Sequence, residues 1–130
     1  MIFAKHWAAS LDDYAIDLAW SPDGTLLAAA SAAGGVMLYD ATNGAVRHTL
    51  AGHENGTNCL GWSPDGKLLA TGGQDGCVRF WDPANGTQTA ETKLGNAWVE
   101  HLAWQPGPAR AENSPSLLFA AAGRKLAALK

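Results

Sequence analysis

Cysteine and charge are both scarce in this 130-residue chain. Its two cysteines, Cys59 and Cys77, match no metal-ligand spacing and read as small buried hydrophobes. No run of about 18 apolar residues is present to span a membrane, and residues 1–20 lack the apolar core of a secretory signal. A cytoplasmic location is therefore expected, where a disulfide is disfavoured. Charged residues make up 16% of the chain, with a net charge of −3. That balance argues against nucleic acid as the main partner. There is no glycine-rich phosphate loop opening a helix, no pair of carboxylates at a common strand end and no Cys/His metal pattern. No catalytic residue, metal or cofactor is expected.

What is present is punctuation. The chain holds 15 Gly, 6 Pro and 6 Trp within a composition that is 47% hydrophobic. That suits a turn-rich β protein of one domain. The stretch from Trp62 to Asp82 carries the plan. Ser63-Pro64-Asp65-Gly66 is a turn, because Pro64 presets φ, Asp65 can bond nearby backbone and Gly66 accepts a conformation that other residues resist. Residues 67–73 follow as an apolar strand. Gln74-Asp75-Gly76 is a hairpin turn of the Asp-Gly kind. Residues 77–81 alternate, with Val78 and Phe80 on one face and Cys77, Arg79 and Trp81 on the other. Turns so closely spaced leave no room for a helix, so an antiparallel meander is expected.

The plan recurs. Trp20, Trp62 and Trp104 stand 42 residues apart, the first two followed by Ser-Pro-Asp-Gly and the third by Gln105-Pro106-Gly107. Leu26-Leu27-Ala28 matches Leu68-Leu69-Ala70, Val36 matches Val78, Tyr39-Asp40 matches Trp81-Asp82, and Asn43-Gly44 matches Asn85-Gly86. In the third copy the first turn is expanded to 106–116, which reads as an exposed insertion.

A 40–45-residue period with Ser-Pro-Asp-Gly, a Gly-His ahead of it and a Trp-Asp behind it resembles the WD40 (WD-repeat) family of β-propellers. The resemblance implies an all-β chain of three four-stranded antiparallel blades, in one unit over 1–130. Within it, 1–8 forms an outer strand, and repeats occupy 11–50, 53–93 and 95–130. Inner strands are expected at Ala15–Trp20, Thr57–Trp62 and Val99–Trp104. Second strands fall at 25–31, 67–73 and 117–122, and third strands at 36–39, 77–81 and Lys125–Leu129. Outer strands fall at 45–50 and Thr87–Lys93, with a spare one at 2–7. The last blade then lacks its outer strand.

The family's buried polar network falls here on His53, Thr71, Asp75 and Trp81. Although His, Asp and a hydroxyl mimic a hydrolytic triad, the hydroxyl lies inside a repeat, so a structural role is expected. Repeat one has Leu11, Ala29, Ala33 and Tyr39 at these positions, and repeat three has Gly95 in place of the histidine, so neither has the network. Family members bind partners on the rim where inner strands begin, which points to Tyr14, Ile16, Asn58, Gln74, Trp98 and Glu100. The implied function is a non-catalytic scaffold for protein–protein interaction.

A blade buries its two faces only against neighbouring blades, and closed propellers use about four to eight of them. Three blades are too few. The strand phase favours a homo-oligomer in which the segment at 2–7 of one copy completes the last blade of another, with Ile2, Phe3, Trp7, Leu126 and Leu129 at the seam. A dimer supplies six blades. One alternative is a truncated or engineered piece of a longer propeller. Another is an enzyme or metal site in the central channel, where Asp17, Cys59 and His101 hold matching positions.

Overall fold

A computed structural model describes residues 2–106 and 116–130. Eleven strands follow one another: β1 (Ala15–Trp20), β2 (Leu26–Ser31), β3 (Val36–Asp40), β4 (Val46–Leu50), β5 (Thr57–Trp62), β6 (Leu69–Gly73), β7 (Cys77–Asp82), β8 (Thr87–Lys93), β9 (Val99–Trp104), β10 (Leu118–Ala122) and β11 (Lys125–Leu129). They form three antiparallel meanders, β1-β2-β3-β4, β5-β6-β7-β8 and β9-β10-β11. The first two have four strands, while the third has three among the described residues. No helix there is long and apolar enough to cross a membrane. The expanded turn expected at 106–116 lies almost wholly outside the described residues.

The Ser-Pro-Asp-Gly turns are built alike. Ser63 Oγ donates to Asp65 Oδ1 at 2.7 Å and accepts the Leu68 amide at 3.0 Å, while Asp65 Oδ1 also accepts the Lys67 amide at 3.0 Å. Ser21, Asp23 and Thr25 repeat the first and last of these contacts at the same lengths, and the Leu26 amide reaches Ser21 Oγ. These bonds to the ionised form hold both Asp23 and Asp65 below the usual carboxylate range, the backbone amide of Thr25 or Lys67 being the largest cause.

Two cores separate the three sheets. Ala28, Ala30, Val36, Leu38 and Leu50 meet Leu60, Trp62, Leu69 and Trp81 between the first and second sheets. Cys59, Ala70 and Val78 meet Val99, Leu118, Ala120 and Ala122 between the second and third, with Phe80 set edge-on to Trp104 at 6.2 Å. Alternation along β7 decides this division, sending Val78 and Phe80 one way and Trp81 the other.

The segment at 2–7 departs from expectation, for it forms no strand. Nothing among the described residues pairs with it, so it has no ladder to join. It is instead pinned to the first sheet. Trp7 Nε1 donates to the Ala41 carbonyl at 2.9 Å, and its ring lies 6.1 Å from that of Tyr39. His6 Nε2 lies 2.8 Å from the Thr42 carbonyl. The contact reproduces that of His48 Nε2 with the Ala84 carbonyl at 3.0 Å, one repeat later. His48 belongs to the outer strand of the first sheet, so residue 6 sits where the outer strand of a preceding sheet would be.

Candidate functional site

Three features carry side-chain chemistry: a buried network in the second sheet, a groove across the inner strands, and the open faces at the two ends.

The structure brings His53, Thr71, Asp75 and Trp81 together. His53 Nδ1 lies 2.9 Å from Asp75 Oδ1, His53 Nε2 lies 2.7 Å from Thr71 Oγ1, and Trp81 Nε1 donates to Thr71 Oγ1 at 2.9 Å. The indole can only donate, so Thr71 accepts from it and gives its own proton to Nε2. His53 is then the neutral tautomer with its proton on Nδ1, shared with the carboxylate. Burial lowers the His53 pKa below its ordinary 6.5 against the opposing pull of Asp75, in accord with a neutral ring. A Cβ on Gly73 would lie 2.3 Å from the ring, so only glycine admits the imidazole. Arg79 closes the outside, donating to the Gly52 carbonyl and standing 3.7 Å from both Asp75 and Glu91. The hydroxyl has no free face from which to attack a substrate. This arrangement fastens a strand, a turn and the entry to the blade.

Strict 42-residue alignment missed a smaller fastening in the first sheet. Buried Ser31 donates to Asp12 Oδ1 at 2.6 Å. Asp12 follows the position aligned with His53, so the pairing escapes a fixed register. The signal was an acidic residue flanking that position. Thr57 Oγ1, donating to the Gly34 carbonyl at 2.5 Å, ties the second sheet to the first and was also missed.

The rim residues divide. Ile16, Asn58 and Glu100 line one groove of about 280 Å³ together with Asp17, Cys59, Leu60, His101 and Leu102. Tyr14, 83% exposed, and Trp98, 50% exposed, stand outside it as open aromatics. Gln74 is half-buried, its backbone amide donating to the Gly56 carbonyl at 3.1 Å. The groove also gathers the three residues weighed for a channel site, but two are committed. Asp17 accepts the amides of Leu18 at 2.9 Å and Leu60 at 3.0 Å. Burial pushes the Cys59 thiol up to about 12, far from a nucleophilic thiolate. His101 is exposed. No cluster of three or more His, Cys, Asp or Glu that could hold a metal ion occurs among the described residues.

The seam residues are not all free. Ile2, Phe3 and Leu126 are exposed. Leu129 packs against the second core of its own chain, and Trp7, expected at the seam, is docked on the first sheet as described. The larger discovery is the face beside Trp7. Leu18 and Trp20 are 59% and 56% exposed, whereas their counterparts Leu60 and Trp62 are 7% and 8% exposed. The difference is the presence of a neighbouring sheet.

Residues 6–40 and 44–82 match a family model described as "WD domain, G-beta repeat". Among solved structures, "Structure of U3-55K" matches with 19% identity and a TM-score of 0.76, covering 86% of this chain and 34% of that one. "Crystal structure of RRP9 WD40 repeats" gives 19% identity and 0.75, covering 86% and 33%. "Crystal Structure of Mitotic Checkpoint Complex" gives 29% identity and 0.70, covering 84% and 32%. The chain thus spans about a third of the length of each. No curated protein sequence matches it.

Proposed function

Because the chain belongs to the WD40 family, we propose that it is a non-catalytic scaffold for protein–protein interaction, a three-blade unit that closes into a ring by head-to-tail association with another copy. Two copies supply six blades, within the usual range for propellers. The observation that carries this reading is the uncovered Leu18 and Trp20, on a face whose counterparts in the second blade, Leu60 and Trp62, are buried. Apolar area of that kind, beside unpaired strand edges, marks an association surface. Partners would meet the rim, where Tyr14 and Trp98 offer the large aromatic surface that dominates interface energetics, and Ile16, Asn58 and Glu100 line the adjoining groove.

Mass measurement in solution tests it. A ring of two copies has twice the 13.6 kDa of one chain; a stable monomer at all concentrations rejects self-association. A second reading has the missing blades supplied by a longer polypeptide, and the one-third coverage of the matched structures favours it. It requires this chain alone to aggregate or stay monomeric rather than form a closed dimer.

A further inference from the structure

Each junction between sheets is crossed by one indole. Trp62 Nε1 donates to the Ala19 carbonyl at 2.9 Å, and Trp104 Nε1 donates to the Gly61 carbonyl, also at 2.9 Å. Each acceptor lies 43 residues before its tryptophan. Trp20 is the next member of this series toward the start of the chain, and its indole has no acceptor among the described residues. Ala103 is the next acceptor toward the other end, and it is exposed with no indole upon it. Among the described residues, one end of the chain therefore carries an indole without an acceptor and the other a carbonyl without an indole upon it.

The residues around the acceptor fit the same visitor. A Cβ on Gly61 would come within 3.2 Å of Trp104, so the position beneath the ring must be small. Ala19, Gly61 and Ala103 are all small, the last although nothing described covers it. Register extends the match. Trp62 pairs with Leu69 and Trp104 with Leu118, so Phe119 holds the place of Ala70. Gly72 pairs with Val78 and Ala121 with Leu126, so Leu126 holds the place of Val78. Ala70 and Val78 form the face of the second sheet that meets the third. Phe119 and Leu126 are exposed and repeat that face with nothing on it.

Resting on the self-association reading above, we propose that the ring closes through a heterologous seam. Trp20 Nε1 of one copy donates to the Ala103 carbonyl of the next, and Leu18 and Trp20 cover Phe119 and Leu126. The occupant of each open face is thus the opposite face of a second copy, not the same face turned around. Such an interface closes into a ring if its rotation permits.

A mixing experiment separates the possibilities. Leu18→Glu spoils one face and Phe119→Glu the other. The expected result is that each variant alone runs as a monomer, while an equimolar mixture recovers a one-to-one pair through its single intact seam. If only one variant loses association, the interface joins like faces and the proposal is overturned. Absence of recovery on mixing overturns it as well. Wild-type chain that is itself monomeric defeats the underlying self-association reading, a distinguishable failure. Trp20→Phe keeps the ring and removes only the donor, so it guards against misfolding. It is expected to weaken association roughly two- to tenfold per seam, the net worth of one hydrogen bond. Unchanged association in that variant would remove the indole from the seam.

Discussion

His53→Ala should be the most informative single change in the second sheet. The ring is buried and bonded at both nitrogens, to Asp75 at 2.9 Å and to Thr71 at 2.7 Å. Removing it strips Asp75 of its neutral donor and leaves the Thr71 proton without an acceptor. Asp75 keeps the Cys77 amide at 3.1 Å, and Arg79 remains 3.7 Å away, so the carboxylate is not wholly abandoned. Thr71 keeps the Trp81 indole. The loss is therefore that of about one or two buried unsatisfied groups, on the order of 1–3 kcal/mol. For a chain of this size each kcal/mol moves the thermal midpoint by about 3–5 °C. Circular dichroism melts of wild type and variant give the number. A parallel His48→Ala change removes a half-buried ring hydrogen-bonded to the Ala84 carbonyl, and should cost less, about 1 kcal/mol. A His53→Ala midpoint equal to wild type would refute the assignment of these four residues to one network.

Acid should act through the same ring. The folded pKa of His53 is lowered, so its contribution is complete above its ordinary 6.5 and is lost as pH falls from there toward the lowered value. Chemical denaturation at pH 7.5 and 5.5 should show this loss in wild type and a smaller one in His53→Ala; equal loss in both would contradict it. The two thiols, raised to about 12 at Cys59 and about 11 at Cys77, should alkylate slowly in the folded chain and rapidly once denatured; equal rates in both states would contradict their burial. Trp98→Ala should leave the thermal midpoint within a few degrees of wild type, since its side chain is half exposed; a large drop would identify it as packing rather than as partner surface.

Most of the fold was legible because turn chemistry repeats at a fixed interval. The Trp-led inner strands, from Ala15, Thr57 and Val99, stand where the 42-residue spacing put them, since each junction needs an indole reaching back one sheet. The strand after the first turn begins later than the sequence indicated, at Leu26 and Leu69, because the aspartate-capped turns claim Thr25 and Lys67. The segment at 2–7 forms no strand in the single chain for a different reason. Strandedness belongs to a pair, and pattern in one member cannot show that its partner is missing. Ser31 and Asp12 escaped because a hydrogen bond depends on distance in space, and a turn can shift a residue by one position without breaking the repeat.

The three sheets also differ in how much holds them. The second is covered on both faces, and it alone carries the four-residue network. The first leaves Leu18 and Trp20 open, with the Trp7 ring lying instead against Tyr39 and Gly44. The third lacks an outer strand among the described residues and leaves Phe119 and Leu126 open. In stacked repeats stability is roughly a sum of each unit and its junctions, so the terminal sheets, with one junction each, should open before the middle one. Hydrogen exchange would then follow position in the stack: slowest in β5–β7, faster in β1 and β9–β11. An added blade junction at either end should slow exchange there first. If the proposed ring forms, its closure would have an energetic consequence far from the seam, because covering Trp20 would secure β1, and β1 already holds the second sheet through Asp17 and the Leu60 amide.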